Sequence, residues 1–331
     1  MNLQNLFKYT NANIKSENTL LFIKEYKFFL NIISINTENY KINLYSDEFL
    51  YLINYNYPCE YYNFYVNNYH FICNKQLDVE VYDVDAIQLF TTFSRGSVHG
   101  FSGFYYKLIE YINNYETYKD LYIIVYKNSE KGLFDIIDYF CINNIIDKSK
   151  IIYIDKDRIY KFKSIQYIPN DYHVFQGNLL NKMDIFINKY IVKNVFSNNT
   201  ENSNRLALIK SNITCNVTTN GCFDNIEVTD FCKKNNLKII NSLNEIELIN
   251  QINNCELLIV SYGSSFFKNF VYISEKCKNV IVLINGDVYI NDYIELSNDI
   301  PTKYKGIIFN KYKNAEFKYV ISNNLYMLPL C

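Results

Sequence analysis

The residues best suited to hold a charged ligand follow a short apolar run in the C-terminal half of the chain. Leu257–Val260 leads into a small-residue turn that contains Gly263, Ser264 and Ser265, and Asn269 follows about one helical turn later. A strand that ends in glycine and serine and then opens a helix presents free backbone N–H groups and the positive end of the helix dipole. This pattern favours a nucleotide or another anion as ligand, although an ordinary N-capped helix after a buried strand has the same residues.

The best candidate for proton transfer is His99, which is one of only three histidines. It is flanked by Gly96, Gly100 and Gly103, where a loop is expected to enter a ligand cleft. An imidazole is a common general base near neutral pH. The alternative is a structural histidine that caps a helix beginning at Phe101.

The elements that must position these residues alternate between strand and helix. In the C-terminal half, two helical patterns separate three apolar runs, so that this region predicts a β-α-β-α-β unit. The first half has the same alternation after residue 100 and a β-rich, aromatic stretch before it. Its predicted helices run from Phe101 to Tyr115, over LFDIIDYFCINNI (133–145) and from Asp184 to Val195. The predicted strands are Leu121–Tyr126, Ile151–Ile154, Lys163–Ile168, Leu206–Ile209, Leu237–Ile240, Leu257–Val260 and Val280–Ile284.

This alternation predicts an α/β fold with two Rossmann-like domains that face a cleft. The most polar stretch, residues 197–204, is the expected linker. We therefore expect a β-rich N-terminal segment over residues 1–90, packed on the first domain. A Rossmann-like acceptor domain is expected over 91–196, and a nucleotide-binding one over 205–331.

Composition excludes several classes of protein. The 331-residue chain has a formal net charge of −1, which gives no electrostatic basis for binding nucleic acid or a membrane surface. Nine scattered cysteines without metal-ligand spacing favour free thiols in a reducing cytoplasm. No apolar run is long enough to span a membrane, and the sequence has no P-loop, G-x-G-x-x-G, G-x-S-x-G or H-E-x-x-H pattern.

The order and spacing of four segments resemble glycosyltransferase family 61, whose members have an inverting GT-B scaffold. The resemblance covers roughly residues 90–290. The segments are SVHGFSGFYYKL (97–108), RLALIK (205–210), the stretch from Leu237 to Ile252, and IVSYGSSFFKN (259–269).

The resemblance implies a hexosyl- or pentosyltransferase that inverts the anomeric carbon and needs no metal cofactor. The donor substrate would be a nucleotide sugar, with UDP-sugar the first choice, and the acceptor a hydroxyl of a glycan or protein. His99 would be the base, with Arg95 and Tyr262 near the cleft. Lys210 would bind the diphosphate together with the turn and Asn269.

The second Rossmann-like domain also offers a nucleotide-binding group. Asn241, Ser242 and Glu245 follow a strand end, where they could face a nucleobase or ribose. Glu245 is otherwise an ordinary first-turn acid on a helix.

The chain departs from the family pattern at four places. Gly103 replaces an acidic residue, Tyr262 a histidine and Val282 a glutamate, and Lys210-Ser211 replaces the Ser-Arg that ends the first strand of the second domain. The alternative is therefore a catalytically inactive relative with a binding or structural, virion-associated role.

A metal-dependent alternative depends on Asp83 and Asp85. In GT-A transferases, a DxD tripeptide after an apolar strand holds a divalent metal and the nucleotide sugar.

The Asn, Ile, Lys and Tyr bias of the chain indicates an A/T-rich genome such as that of a large DNA virus, which would place the protein in the host cytoplasm or virus factory. The oligomeric state is not predicted.

Overall fold

The computed structural model describes the chain in two compact units, residues 1–174 and 175–331. The described residues are 14–26, 29–36, 42–44, 79–90, 97–168, 182–183, 185–192, 204–211, 222–223, 225–240, 244–261, 269, 272–274, 276–284 and 316–321. Each unit contains a sheet with parallel strands and helices that alternate with them. The described residues thus form a mixed α/β structure, which confirms that part of the predicted fold class.

The sheet of the first unit has seven strands in the order β3-β2-β1-β7-β4-β5-β6. Strands β7, β4, β5 and β6 are parallel, whereas β1, β2 and β3 are added antiparallel at one side. The β-rich N-terminal segment therefore continues the same sheet as the parallel strands. The strands are β1 Ile14–Tyr26, β2 Phe29–Asn36, β3 Ile42–Leu44, β4 Val79–Gln88, β5 Tyr122–Tyr126, β6 Ile151–Ile154 and β7 Ile159–Tyr167.

The helices of the first unit are α1 Ser97–Asn113, α2 Tyr115–Tyr118 and α3 Lys131–Ile142, followed by a 3₁₀ turn at Lys148–Lys150. Helix α3 buries Leu133, Ile136, Ile137 and Phe140, which recur at the spacing of one helical face. Both long helices were predicted from such spacing. Helix α1 begins four residues earlier than the predicted start at Phe101.

The second unit contains a five-stranded sheet in which every strand is parallel to its neighbours. Its order is β11-β8-β12-β13-β14. The first strand of this sheet along the chain, β8, has the second, β11, on one side, and β12, β13 and β14 follow in order on the other side. This is the doubly wound order 2-1-3-4-5. The strands are β8 Arg205–Leu208, β9 Lys210–Ser211, β10 Cys222–Phe223, β11 Lys238–Ile239, β12 Leu257–Ser261, β13 Asn279–Ile284 and β14 Glu316–Ile321.

Two helices of the second unit connect these strands, α4 Asn225–Lys234 and α5 Glu245–Asn254. Where a helix was predicted from Asp184 to Val195, the described residues include a π-helical turn at Ile187–Ile191. Of the predicted β-α-β-α-β unit, the three strands correspond to β11, β12 and β13, and the first helix corresponds to α5. Strand β14 was not predicted.

The core of the second unit centres on β12, whose five residues are all buried. Ile259 is paired with Ala207 of β8 on one side and with Ile281 of β13 on the other, and all three are at most 2% exposed. Helix α4 packs Val228 and Phe231 against this row. A strand covered on both faces needs apolar residues at successive positions, which explains the continuous apolar run.

Candidate functional site

The strand order of the second sheet indicates where a ligand would bind. The chain passes from β8 to β11 on one side, and then from β11 past β8 to β12 on the other side, which creates a switch point between β8 and β12. In doubly wound sheets, ligands bind in the crevice beyond the carboxyl ends of the strands at such a point. Here those ends are Leu208 of β8 and Ser261 of β12.

Lys210 lies two residues beyond the carboxyl end of β8. After Ile209 the chain forms β9, in which Lys210 is paired with Cys222 of β10 in parallel register. Helix α4 then begins at Asn225. This small two-stranded sheet fixes the backbone of Lys210 immediately beyond the edge where the switch point lies.

The carboxyl end of β12 lies on the other side of the switch point. Ser261 is fully buried and is paired with Leu283 of β13. The predicted diphosphate group that follows it, Gly263, Ser264 and Ser265, lies outside the described residues, as does Tyr262.

Asn269 is the one member of that group whose side chain is described. It is 5% exposed, and no described residue donates a hydrogen bond to its side-chain oxygen. A buried oxygen without a donor costs about 1–3 kcal/mol, so such an atom calls for a partner such as a ligand or ordered water. Its backbone carbonyl accepts a hydrogen bond from the Tyr272 N–H at 3.0 Å.

Glu245 is buried at the start of α5. Asn244 caps the helix by accepting a hydrogen bond from the Ile246 N–H at 2.9 Å. The Tyr272 hydroxyl donates to Glu245 Oε1 at 2.7 Å. The carboxylate that was predicted to face a nucleotide therefore contacts a buried tyrosine, while its predicted companions Asn241 and Ser242 lie outside the described residues.

The segment that carries Tyr272 is attached to α5 by further hydrogen bonds. The Asn253 side-chain amide donates to the Tyr272 carbonyl at 3.4 Å, and the Ser274 hydroxyl donates to the Asn253 carbonyl. These hydrogen bonds hold residues 272–274 against helix α5.

His99 lies in the first turn of α1 rather than in a loop ahead of the helix. Gly103 and Lys107 follow at intervals of four residues, so the three positions share one face of α1. Arg95, which was predicted to lie near the same site, is outside the described residues.

A buried polar pair joins α1 to the end of β4, and sequence analysis did not identify it. The Lys107 Nζ donates to the Phe90 carbonyl oxygen at 3.1 Å, and the Gln88 side-chain amide donates to the same oxygen at 3.0 Å. Lys107 is 3% exposed and Gln88 is 1% exposed. The signal in the sequence was that Gln88 and Lys107 each interrupt a run of apolar residues.

Asp83 and Asp85 lie inside β4, not after it, at an irregularity in its pairing with β7. Asp85 accepts hydrogen bonds from the Ser164 hydroxyl and from Lys163 Nζ at 2.9 Å, and Lys15 lies 4.0 Å away. The hydrogen bond from Ser164, followed by that from Lys163, lowers the pKa of the Asp85 carboxyl. Within the described part of the chain, no group of three or more His, Cys, Asp or Glu side chains could hold a metal ion.

Two of the positions that depart from the resembled family are buried. Val282 lies in the middle of β13, paired with Val260 of β12, and both are fully buried. Gly103 is buried on α1. An acidic side chain at Val282 would have to be accommodated in the apolar core of the sheet.

Among the described residues, no helix is long and apolar enough to cross a membrane. The chain matches no protein-family model, and no curated protein matches its sequence.

Proposed function

We propose that this protein is an inverting glycosyltransferase of the GT-B type that transfers a sugar from a nucleotide-sugar donor to a hydroxyl of a glycan or protein. The donor is bound by the second unit, at the carboxyl edge between β8 and β12. His99 acts as the base that removes the acceptor proton, so that the acceptor oxygen attacks the anomeric carbon as the nucleoside diphosphate leaves.

The observation that carries this proposal is the strand order of the second sheet. Its switch point lies between β8 and β12. In the sequence, Lys210 follows β8 and the residues Gly263–Ser265 follow β12. A lysine ammonium and backbone N–H groups at a helix start are donors suited to a departing diphosphate. The unpartnered oxygen of Asn269, three residues before Tyr272, adds an acceptor in the same connection.

The transfer is proposed to need no metal, because the groups assigned to the diphosphate are themselves cationic or N–H donors. UDP-sugars are the first donors to test. The metal-dependent alternative through Asp83 and Asp85 has less support, because Lys163 and Ser164 already contact the Asp85 carboxylate.

The test is a thermal-shift titration of the full chain with UDP, GDP, CMP and their sugars, with and without Mn²⁺. At about 100 times its dissociation constant, a ligand of the folded state stabilises it by about 2.7 kcal/mol, which predicts a rise in Tm of about 5–10 °C. A thermal shift that occurs only with Mn²⁺ would contradict the metal-independent mechanism and would support the metal-dependent alternative through Asp83 and Asp85.

Matched lysine variants localise the binding. Lys210→Ala is expected to weaken nucleotide binding about 10- to 100-fold, because a charge-assisted hydrogen bond to the diphosphate is lost. Lys238→Ala removes an exposed lysine from β11 of the same sheet and is expected to leave binding unchanged. Equal effects of the two variants would contradict the assigned edge.

His99→Ala separates binding from chemistry. This variant is expected to retain the thermal shift and to transfer sugar about 10²- to 10⁴-fold more slowly than the unmodified chain. Unchanged transfer by His99→Ala would remove His99 from the mechanism.

A second candidate function is nucleotide or glycan binding without catalysis. The observation that favours it is the fully buried Val282, which occupies a position where the resembled family has a glutamate. A nucleotide-dependent thermal shift without transfer to any acceptor hydroxyl would support this candidate.

A further inference from the structure

Two buried cysteines lie beside each other at the start of the two central strands of the second sheet. Leu257 of β12 is paired with Asn279 of β13 in parallel register. Two residues before each of these, ahead of the strands themselves, are Cys255, which ends α5, and Cys277, and each is 1% exposed. The two segments stay side by side just ahead of this first pair, since the Lys278 and Asn279 N–H groups both donate to the Glu256 carbonyl, at 2.9 and 3.3 Å.

Extended backward by two residues, the register of β12 and β13 brings the two cysteines within the range of a disulfide. Neighbouring strands lie about 4.8 Å apart, and side chains two positions away from a paired residue return to the same face of the sheet. Disulfides need a Cα separation of about 4.4–6.8 Å. The two thiols also interact directly with each other.

The two thiols are not chemically equivalent. The hydrogen bond with Cys277, together with burial, raises the pKa of the Cys255 thiol. The same hydrogen bond lowers the pKa of the Cys277 thiol, against the opposing effect of burial, and backbone hydrogen bonds with Asn279 and Leu258 lower it further. Cys277 is therefore the better nucleophile of the pair.

We propose that Cys255 and Cys277 form a reversible disulfide when the protein meets a peroxide. The Cys277 thiolate attacks one peroxide oxygen, the O–O bond breaks, and a sulfenic acid and one water are formed. The Cys255 sulfur then attacks the Cys277 sulfur, the S–O bond breaks, and the hydroxyl leaves with the thiol proton as a second water. Two thiols lose two electrons and two protons, and hydrogen peroxide is reduced to two waters.

The oxidant needs only a small local opening to reach the pair. Cys277 lies between Lys276 and Lys278, and Cys255 lies between Asn254 and Glu256, all four of which are exposed. Strand ends open more readily than the centre of a sheet. The pair is at the amino ends of the strands, opposite the proposed nucleotide edge, so this inference does not depend on the proposed function.

The test uses the full chain, treated with hydrogen peroxide, blocked with an alkylating reagent and digested after glutamate without reduction. Cleavage at Glu247, Glu256, Glu275 and Glu295 places the two cysteines in separate peptides, 248–256 and 276–295. The expected product is these two peptides joined, two hydrogens lighter than their sum, and separated again by dithiothreitol. Recovery of both peptides unlinked, or with sulfinic or sulfonic acids, overturns the proposal.

Substitutions and heat stability provide further readouts. Cys277→Ser is expected to abolish the joined product, whereas Cys141→Ser, in the first unit, is expected to leave it intact. Closing a loop of about 20 residues is expected to raise the Tm of the peroxide-treated chain by about 5–10 °C, and dithiothreitol should reverse the rise. The same rise in Cys277→Ser would contradict the assignment.

Discussion

Asp85 shows how one exposed strand position keeps its charge. Its carboxylate accepts hydrogen bonds from Ser164 and Lys163, and these lower its pKa below the value of an unfolded aspartate. A lowered pKa contributes stability that is fully present above the unfolded pKa of about 3.9 and is lost as pH falls through the folded value. Because the side chain is 33% exposed, solvent screening keeps this contribution small.

We expect Asp85→Asn to lower the free energy of unfolding by roughly 0.5–1 kcal/mol at pH 7 and by less as the pH falls below about 4. Urea denaturation at several pH values measures this. Asp83→Asn, on the same strand and exposed, is the matched control and should change stability by less than about 0.5 kcal/mol. A constant difference between Asp85→Asn and the unmodified chain from pH 3 to pH 7 would contradict the linkage.

The Tyr272–Glu245 hydrogen bond has a larger expected effect because both partners are buried. Tyr272→Phe removes the hydroxyl that donates to the Glu245 carboxylate and should cost about 1–3 kcal/mol. Tyr153→Phe, at a residue of β6 that is 36% exposed, should cost less than about 0.5 kcal/mol. Chemical denaturation compares the two variants.

The same variants address the role of Glu245. If its carboxylate serves the packing of α5, Tyr272→Phe will lower stability and leave the dissociation constant for UDP-sugars unchanged. A matching loss of UDP-sugar affinity would instead return Glu245 to the nucleotide-binding group.

Single side chains are also where sequence analysis fell short. Gln88 and Lys107 are adjacent only because α1 folds back onto the end of β4, and neither residue lies in a recognisable pattern. The burial of Glu245 likewise depends on Tyr272, which is 27 residues away in the sequence. Contacts of this kind are set by tertiary packing, which local spacing does not encode.

The elements were much more predictable, because hydrophobic periodicity follows directly from which faces are buried. The runs at β5, β6, β12 and β13 and the spacing of α3 each gave the correct type of element. The boundaries were less accurate, as the early start of α1 shows. The missed strand β14 is a short run, EFKYVI, in which charged residues interrupt the apolar ones.

The central position of β12 predicts its sensitivity to truncation. Ile259→Ala should lower the free energy of unfolding by about 2–5 kcal/mol, because the side chain is fully buried between strands and helices. Ile226→Ala, on α4 of the same unit and 72% exposed, is the matched control. It should change stability by less than about 0.5 kcal/mol when both are measured by urea denaturation. Equal losses would mean that β12 is not the core of its unit.

For the whole molecule, the division into two units predicts a local response to ligand. If the nucleotide binds beyond β8 and β12, amide hydrogen exchange in the strands of the second sheet should slow by up to about 100-fold at 100 times the dissociation constant. Exchange in α3 and β5 of the first unit should change far less. Hydrogen-exchange mass spectrometry measures both regions in one experiment, and protection confined to the first unit would contradict the proposed donor site.

The placement of β8 between β11 and β12 also affects how the chain folds during synthesis. Strand β8 is the first strand of this sheet to leave the ribosome, but its neighbour β12 follows about 50 residues later. The side chains of Asn204 and Glu256, at the start of this pairing, form a hydrogen bond across a separation of 52 residues. Until that segment emerges, one edge of β8 has its backbone donors and acceptors unpaired. Parallel pairing over such distances is slow and exposes apolar strands to other nascent chains. We therefore expect the second unit to depend on chaperones more than a protein whose strands pair as hairpins.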